Sequence, residues 1–174
     1  RDRLEANFDN VTDWLLKGSI DFDYICESLF PSLTAKGSAP LRVGEMEYDV
    51  VIVPECETLR SSTLERLEAF SEAGGKLVFM GDAPKYEDAK PSRRGEKLYK
   101  KSTCISFSRS LLLNELDKFR VIDIRKCDGS MTNGFVHQLR RDTDGMWLFL
   151  AHSDMPYNKD VITAERITIT VRGE

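Results

Sequence analysis

Tyr48-Asp49-Val50-Val51-Ile52-Val53-Pro54, then Ser61 to Ala73, then Gly74-Gly75-Lys76-Leu77-Val78-Phe79-Met80-Gly81-Asp82-Ala83-Pro84 is the stretch on which the fold turns. Val50 to Val53 and Leu77 to Met80 are short, uninterrupted apolar runs, the pattern of parallel strands buried on both faces. The segment between them reads as a helix. Ser62-Thr63-Leu64-Glu65 has capping-box spacing, Leu64, Leu67 and Phe70 recur on one face, and Gly74 stands where a helix end favours a left-handed residue. Strand, helix and strand in under about forty residues make a βαβ unit with a right-handed crossover. Any site in such a sheet is expected beyond the carboxyl ends of its strands, at Pro54-Glu55-Cys56-Glu57 and Gly81-Asp82-Ala83-Pro84.

The 174 residues suit one domain, or one and a small appendage, and are enough for a sizeable core. A net charge of −4, with signs interspersed, gives no global field to draw nucleic acid. No run approaches the roughly 18 apolar residues of a spanning helix, and no signal-peptide pattern opens the chain. The chain starts at Arg1 without a methionine and stops at Glu174 after a strand-like run, so it reads as a piece of a longer protein. Cys26, Cys56, Cys104 and Cys127 are widely spaced and form no C-x-x-C pair. Four reduced thiols in a cytoplasmic setting are expected rather than a disulfide or zinc site, with no metal and no cofactor.

Elsewhere, Leu4, Phe8, Val11 and Leu15 mark an amphipathic helix stopped by Gly18. Ile20 to Ile25 alternates apolar and acidic residues like a short strand, although Cys26 to Phe30 also fits a helical turn. Pro31 to Pro40 reads as a surface loop, with Leu41 to Gly44 touching the sheet edge. Ala83 to Thr103 is rich in Lys, Arg, Pro and Ser and reads as a long irregular loop. Ser108 caps a helix carrying Leu112, Leu116 and Phe119, and Val121 to Ile124 adds a strand. Beyond it, Phe135 to Arg141 and Met146 to Ala151 form a hairpin through Asp142-Thr143-Asp144-Gly145, and Arg166 to Val171 alternates as another strand. The expected organisation is an α/β core over 1–134 and an antiparallel extension of the same domain over 135–174.

Several patterns invite a chemical reading. Gly74-Gly75-Lys76 follows a helix and precedes a strand, the wrong end of the sheet for a phosphate loop, so a plain helix stop is favoured. Lys85 to Lys101 holds seven cations against three acids. It reads as a solvated loop, with contact to an acidic partner as the other reading. Cys56 sits between Glu55 and Glu57, whereas a reactive cysteine wants a positive environment. His152-Ser153-Asp154 offers a base and its orienter, but nothing in the sequence brings it to Cys56. Glu55, Glu57 and Asp82 at neighbouring strand ends are candidate paired carboxylates, with capping of the next element as the favoured role. Trp14 and Trp147 read as core or interface aromatics before a sugar platform.

The order of the N-terminal helix, Ile20-Asp21-Phe22-Asp23-Tyr24, the Tyr48 to Pro54 strand, the Leu64 to Ala73 helix and Gly74-Gly75-Lys76-Leu77-Val78 resembles the glutamine-amidotransferase-like domain inside large bacterial glycoside hydrolases. The β-galactosidase trimerisation domain and its counterpart in α-L-rhamnosidase-type enzymes are the nearest comparisons. Trp147-Leu148-Phe149-Leu150-Ala151-His152 is similar to the aromatic strand that follows the α/β portion in such enzymes. The resemblance implies a class I glutamine-amidotransferase-like, flavodoxin-like, parallel-centred sheet flanked by helices, with antiparallel strands added near the C-terminus. True glutaminases of this fold carry a nucleophilic cysteine in a glycine-flanked elbow after a central strand. The comparable elbow here, Met80-Gly81-Asp82-Ala83-Pro84, has no cysteine, serine or threonine, and His152-Ser153-Asp154 is a weak echo of the His-x-Glu partner. The resemblance therefore implies no amidotransferase chemistry and no catalytic residue in this chain, and it puts the glycosidic carboxylates in a separate catalytic domain.

The reading that follows is a non-catalytic accessory domain of a bacterial glycoside hydrolase, packed against the catalytic domain of its parent chain or a neighbouring subunit, with no nucleic acid and no membrane as partner. The alternatives are a carbohydrate or small-molecule binding module using a cleft at Glu55, Cys56, Glu57 and Asp82, and an independent enzyme.

Overall fold

The computed structural model of the chain describes residues 2–34, 37–153 and 165–172. They fall into two compact units, Arg1–Asp9 with Asp23–Leu112 and Asn10–Phe22 with Leu113–Glu174. Helix α1 (Asp2–Lys17) contributes to both. Its apolar stripe buries Val11 and Leu15, while Phe8 stays half exposed with its ring 5.0 Å from that of Tyr24.

The strand expected at Ile20 to Ile25 does not form. Residues 20–26 have no regular structure, because alternation without a partner strand leaves N–H and C=O groups unsatisfied. Local contacts hold the segment instead: Ile25 packs on the core and the Tyr48 hydroxyl donates to Asp23 at 2.5 Å. The helical turn is the reading that materialises after Cys26, leading into helix α2 (Phe30–Leu33), which buries Phe30. Part of the expected Pro31 to Pro40 loop is thus helical. Among the described residues Leu41 to Gly44 does not pair with a central strand: β1 (Leu41–Val43) pairs antiparallel with β2 (Met46–Tyr48) across Gly44, whose φ of +60° suits the turn, and Leu41 joins the core that holds Val53 and Phe79.

The decisive stretch folds as its pattern demands. β3 (Val50–Val53) is followed by the short β4 (Thr58–Leu59), helix α3 (Ser61–Glu72) and β5 (Lys76–Met80), with Val51 opposite Leu77 in a parallel ladder. In β5 Leu77, Val78, Phe79 and Met80 are all buried; β3, an edge of its sheet, is only half buried along most of its length. Helix α3 ends on Gly74 at φ +91°. Gly75 N–H returns to Phe70 C=O at 2.9 Å and Gly74 N–H to Ser71 C=O at 3.0 Å, the paired bonds of a Schellman stop. Its start differs from expectation. The capping box is not used; Ser61 N–H donates to the Asp88 carboxylate at 3.1 Å and Arg60 N–H to Glu27 at 3.0 Å.

The long irregular loop expected over Ala83 to Thr103 is replaced by ordered elements. β6 (Tyr86–Glu87) and β7 (Lys90–Pro91) form a turn, helix α4 (Arg94–Lys101) follows, and β8 (Thr103–Ile105) joins the parallel sheet on the far side of β5. The charges conceal this helix. Leu98 and Gly95 face inward, Lys100 pairs with Glu96 at 2.5 Å one turn away, and Arg94 grips Glu68 of α3 at 2.6 and 2.9 Å and Glu87 at 2.9 Å. The result is a three-stranded parallel sheet, in the order β3-β5-β8, crossed over twice through helices. Helix α5 (Arg109–Leu116) follows; the Ser108 carbonyl accepts from Leu112 N–H at 3.0 Å, as its expected capping position requires.

In the second unit the strand foreseen at Val121 to Ile124 is β9 (Ile122–Lys126). The hairpin is β10 (Phe135–Asp142) with β11 (Gly145–His152), closed by Asp142 Oδ1, which accepts from Asp144 and Gly145 N–H. β12 (Ile167–Val171) runs antiparallel to β9, with Ile169 opposite Ile124. Ile122, Ile124 and Phe135 form the core here, with Leu139, Leu148, Leu150 and Ile167 against it. The chain is therefore mixed α/β, with a helix-flanked parallel sheet and antiparallel ribbons. Among the described residues no helix is long and apolar enough to cross a membrane.

Candidate functional site at the strand carboxyl ends

The chain leaves β3 through Pro54 and reaches Glu55, and it leaves β5 through Gly81 and Asp82. The two exits adjoin. A Cβ built on Gly81 would stand 3.1 Å from Cβ and Cγ of Glu55, and the Gly81 φ of +78° is the left-handed conformation that glycine tolerates. Both polar groups of the Gly81 backbone are engaged, the N–H with Ile105 C=O at 2.9 Å and the C=O with the Tyr99 hydroxyl at 3.0 Å. Tyr99 is held by its ring against Phe79, 5.5 Å between centroids.

Glu55 carries the strongest polar contacts of this end. Its carboxylate is 8% exposed and accepts from Arg3 Nη1 at 2.6 and 2.5 Å and from Asn7 Nδ2 at 2.9 Å. The hydrogen bond with Glu55, and then its charge, raise the Arg3 guanidinium above its ordinary value; Asp82 and Glu57 add to this from further off. Arg3 thus gathers three of the four expected site residues into one electrostatic group. Sequence reasoning missed Arg3 and Asn7. Their signal was present, since positions three and seven share a helix face one turn apart.

Cys56 turns inward and packs on the core. Burial first, then the negative charges of Glu27 and Glu55, push its thiol up to about 12. At pH 7 about one molecule in a hundred thousand is then a thiolate, which removes Cys56 as a nucleophile. Glu57 is exposed, and its carbonyl accepts Lys85 and Tyr86 N–H at 2.9 and 3.0 Å, tying the first exit to the segment after the second. Asp82 is exposed. Burial, the neighbouring Cys104 and the Asp82 charge together raise the Tyr99 phenol. Held by a guanidinium and an amide, Glu55 anchors the N-terminal helix to the first strand exit.

The remaining candidates scatter. His152 stacks on Phe135 at 4.5 Å in the second unit, whereas Cys56 belongs to the first; Asp154 lies outside the described residues. Gly74 and Gly75 serve as the helix stop. Trp14 is half buried, but Trp147 is 66% exposed, which excludes the core role, and its Nε1–H donates to Asp142 Oδ2 at 3.2 Å. Cys26, Cys56, Cys104 and Cys127 are all free thiols. No group of three or more His, Cys, Asp or Glu side chains among the described residues could hold a metal ion. No protein-family model, curated protein or solved structure matches the chain.

Proposed function

We propose that the chain is a non-catalytic accessory domain of a bacterial glycoside hydrolase, built on the class I glutamine-amidotransferase-like, flavodoxin-like plan, and that it works by packing against its parent's catalytic domain or a neighbouring subunit. The observation that carries this reading is the elbow after β5. On the resemblance, Gly81 and Asp82 stand for the elbow where a glutaminase would carry its nucleophile; the Gly81 backbone is fully bonded, and the nearby thiol, Cys56, is half-buried and protonated. Exposed Leu29, Met46, Trp147 and Phe149 supply apolar surface for a packing role. Four free thiols suit a reducing, cytoplasmic setting.

The test is turnover of aryl glycosides and of glutamine by the purified chain. Inactivity is expected; activity abolished by Asp82→Ala or Cys56→Ala overturns the reading. Hydroxyl-radical footprinting of the parent protein should show Met46 and Trp147 protected relative to the isolated chain. A second reading, a carbohydrate or small-molecule binding module, is favoured by the exposed Asp82 carboxylate and the 66% exposed Arg3 side chain at the same strand ends. It expects a raised melting temperature somewhere across a millimolar sugar panel, lost in Asp82→Ala.

A further inference from the structure

Strand β11 reads Gly145-Met146-Trp147-Leu148-Phe149-Leu150-Ala151-His152, and among the described residues its ladder is with β10 alone, eight pairs without a bulge. We propose that its other edge is where two copies of this chain pair, antiparallel, about a twofold axis through Leu148. This deepens the assembly arm of the function proposed above and rests on it.

Three observations point to this occupant. The first is that β11 is an unguarded edge. Natural sheets protect free edges with charges, prolines or bulges. From Gly145 to Ala151 β11 has none of these, while β10 carries Arg140, Arg141 and Asp142.

The second is the phase of the free hydrogen-bonding groups. Ser153 N–H donates to Gly134 C=O at 2.9 Å, one step beyond the pair Phe135–His152. That makes Phe135–His152 a non-hydrogen-bonded pair, and strict alternation assigns the N–H and C=O of Trp147, Phe149 and Ala151 to β10. Those of Met146, Leu148 and Leu150 point to the open edge. An axis through Leu148 sets Leu148 against itself and Met146 against Leu150, so every outward group meets an outward group.

The third is that the strand is symmetric in side-chain size about Leu148. The same register sets Trp147 against Phe149 of the second copy, twice, and Gly145 against Ala151, twice. Trp147 and Phe149 lie on the face opposite the core-facing Leu148 and Leu150, and are 66% and 65% exposed. Pairing brings all four aromatics into two cross-strand aromatic contacts at non-hydrogen-bonded positions, where side chains approach closest. The Asp142 bond already fixes the indole of Trp147. An isologous contact of this kind closes on itself and makes a four-stranded sheet from two ribbons. The seam is about 24 Å long at ~3.4 Å per residue. A single strand seam is a small contact beside the roughly 2,000 Å² or more of permanent interfaces, so the dimer forms with rising concentration.

The experiment is sedimentation velocity of the full chain from low to several hundred micromolar, with two double variants at these exposed positions. Wild type should pass from monomer to dimer. Trp147→Glu with Phe149→Glu sets Glu against Glu twice and should weaken association at least about tenfold. Trp147→Lys with Phe149→Glu sets Lys against Glu in the same register and should restore it. A monomer at every concentration, a dimer untouched by the acidic pair, or a loss equal in both variants overturns the proposal. A monomer still leaves packing within the parent chain standing, whereas turnover by the chain would remove the functional reading whatever its mass.

Discussion

Arg3 Nη1 lies 2.6 Å from one carboxylate oxygen of Glu55 and 2.5 Å from the other, across 52 residues of sequence. The acid is buried and the cation is not. Removing Arg3 strands a desolvated carboxylate with Asn7 as its remaining donor, and such a group costs more than a surface ion pair returns. Arg3→Ala should lower the urea midpoint clearly, and Glu55→Gln should lower it less. The double variant should be less destabilised than the sum of the two, because the neutral amide no longer needs the guanidinium.

Gly81 and Gly74 share a left-handed φ but not their surroundings. A methyl at Gly74 meets open space, so Gly74→Ala should cost about 1 kcal/mol from backbone strain alone. At Gly81 the same strain adds to contacts of 3.1 Å with Glu55, and Gly81→Ala should cost roughly 2 to 3 kcal/mol. Adding Glu55→Ala removes the Cγ and Cδ contacts but keeps the Cβ at 3.1 Å, so it should relieve only part of the steric cost and leave the strain, as denaturant midpoints of the three variants would reveal.

The Cys56 thiol predicts a slope in stability at alkaline pH. Its folded value, about 12, stands above the ordinary 9.0, so the folded state holds this proton more tightly than the unfolded one. The contribution is complete below pH 9 and is lost as pH rises from about 9 towards 12. Unfolding free energies at pH 8 and pH 11 should fall more for the wild type than for Cys56→Ala. In thiol labelling at neutral pH, Cys26, whose thiol is lowered by bonds with Ser28, should react well before Cys56.

Helix α4 sets propensity against space. Replacing a glycine with alanine gains about 1 kcal/mol in a helix interior and less in the first turn, where Gly95 stands. A Cβ on Gly95 would fall 2.8 Å from Pro84 Cγ and 3.0 Å from its carbonyl oxygen, backbone that cannot swing aside. Overpacking of this kind costs about 1 to 3 kcal/mol, so Gly95→Ala should be net destabilising in thermal unfolding. Arg94→Lys should also lose about 1 kcal/mol, since an ammonium cannot reproduce the two-pronged grip on Glu68.

What the sequence made legible was whatever its apolar period carried. Leu77 to Met80, the Leu64, Leu67 and Phe70 face, Gly74 and the hairpin at Asp142 to Gly145 all formed where the pattern placed them. Helix α4 stayed hidden because only Leu98 and Gly95 are buried in it, and its anchors are charges whose partners lie on other elements. The pattern at Ile20 to Ile25 misled because alternation reports a face, not a partner. At the site, Glu55 and Asp82 followed from topology, since strand ends are where an α/β sheet opens. Arg3 and Asn7 did not, because their spacing sets them on one helix face while nothing local names Glu55, about fifty residues on, as the partner of that face.

The N-terminus of α3 is capped by Asp88, a residue 27 positions away whose carboxylate meets Ser61 N–H, and by Glu27 from the other direction. During vectorial synthesis the helix emerges well before the residue that completes its first turn. Until the β6–β7 turn leaves the ribosome, α3 has its stop and the Glu27 bond to Arg60 N–H but not the Asp88 bond, and the Ser61 amide faces water. Nascent chains truncated before Asp88 should therefore hold the helix frayed at its leading end, and extension past the turn should be the step at which the βαβ unit locks.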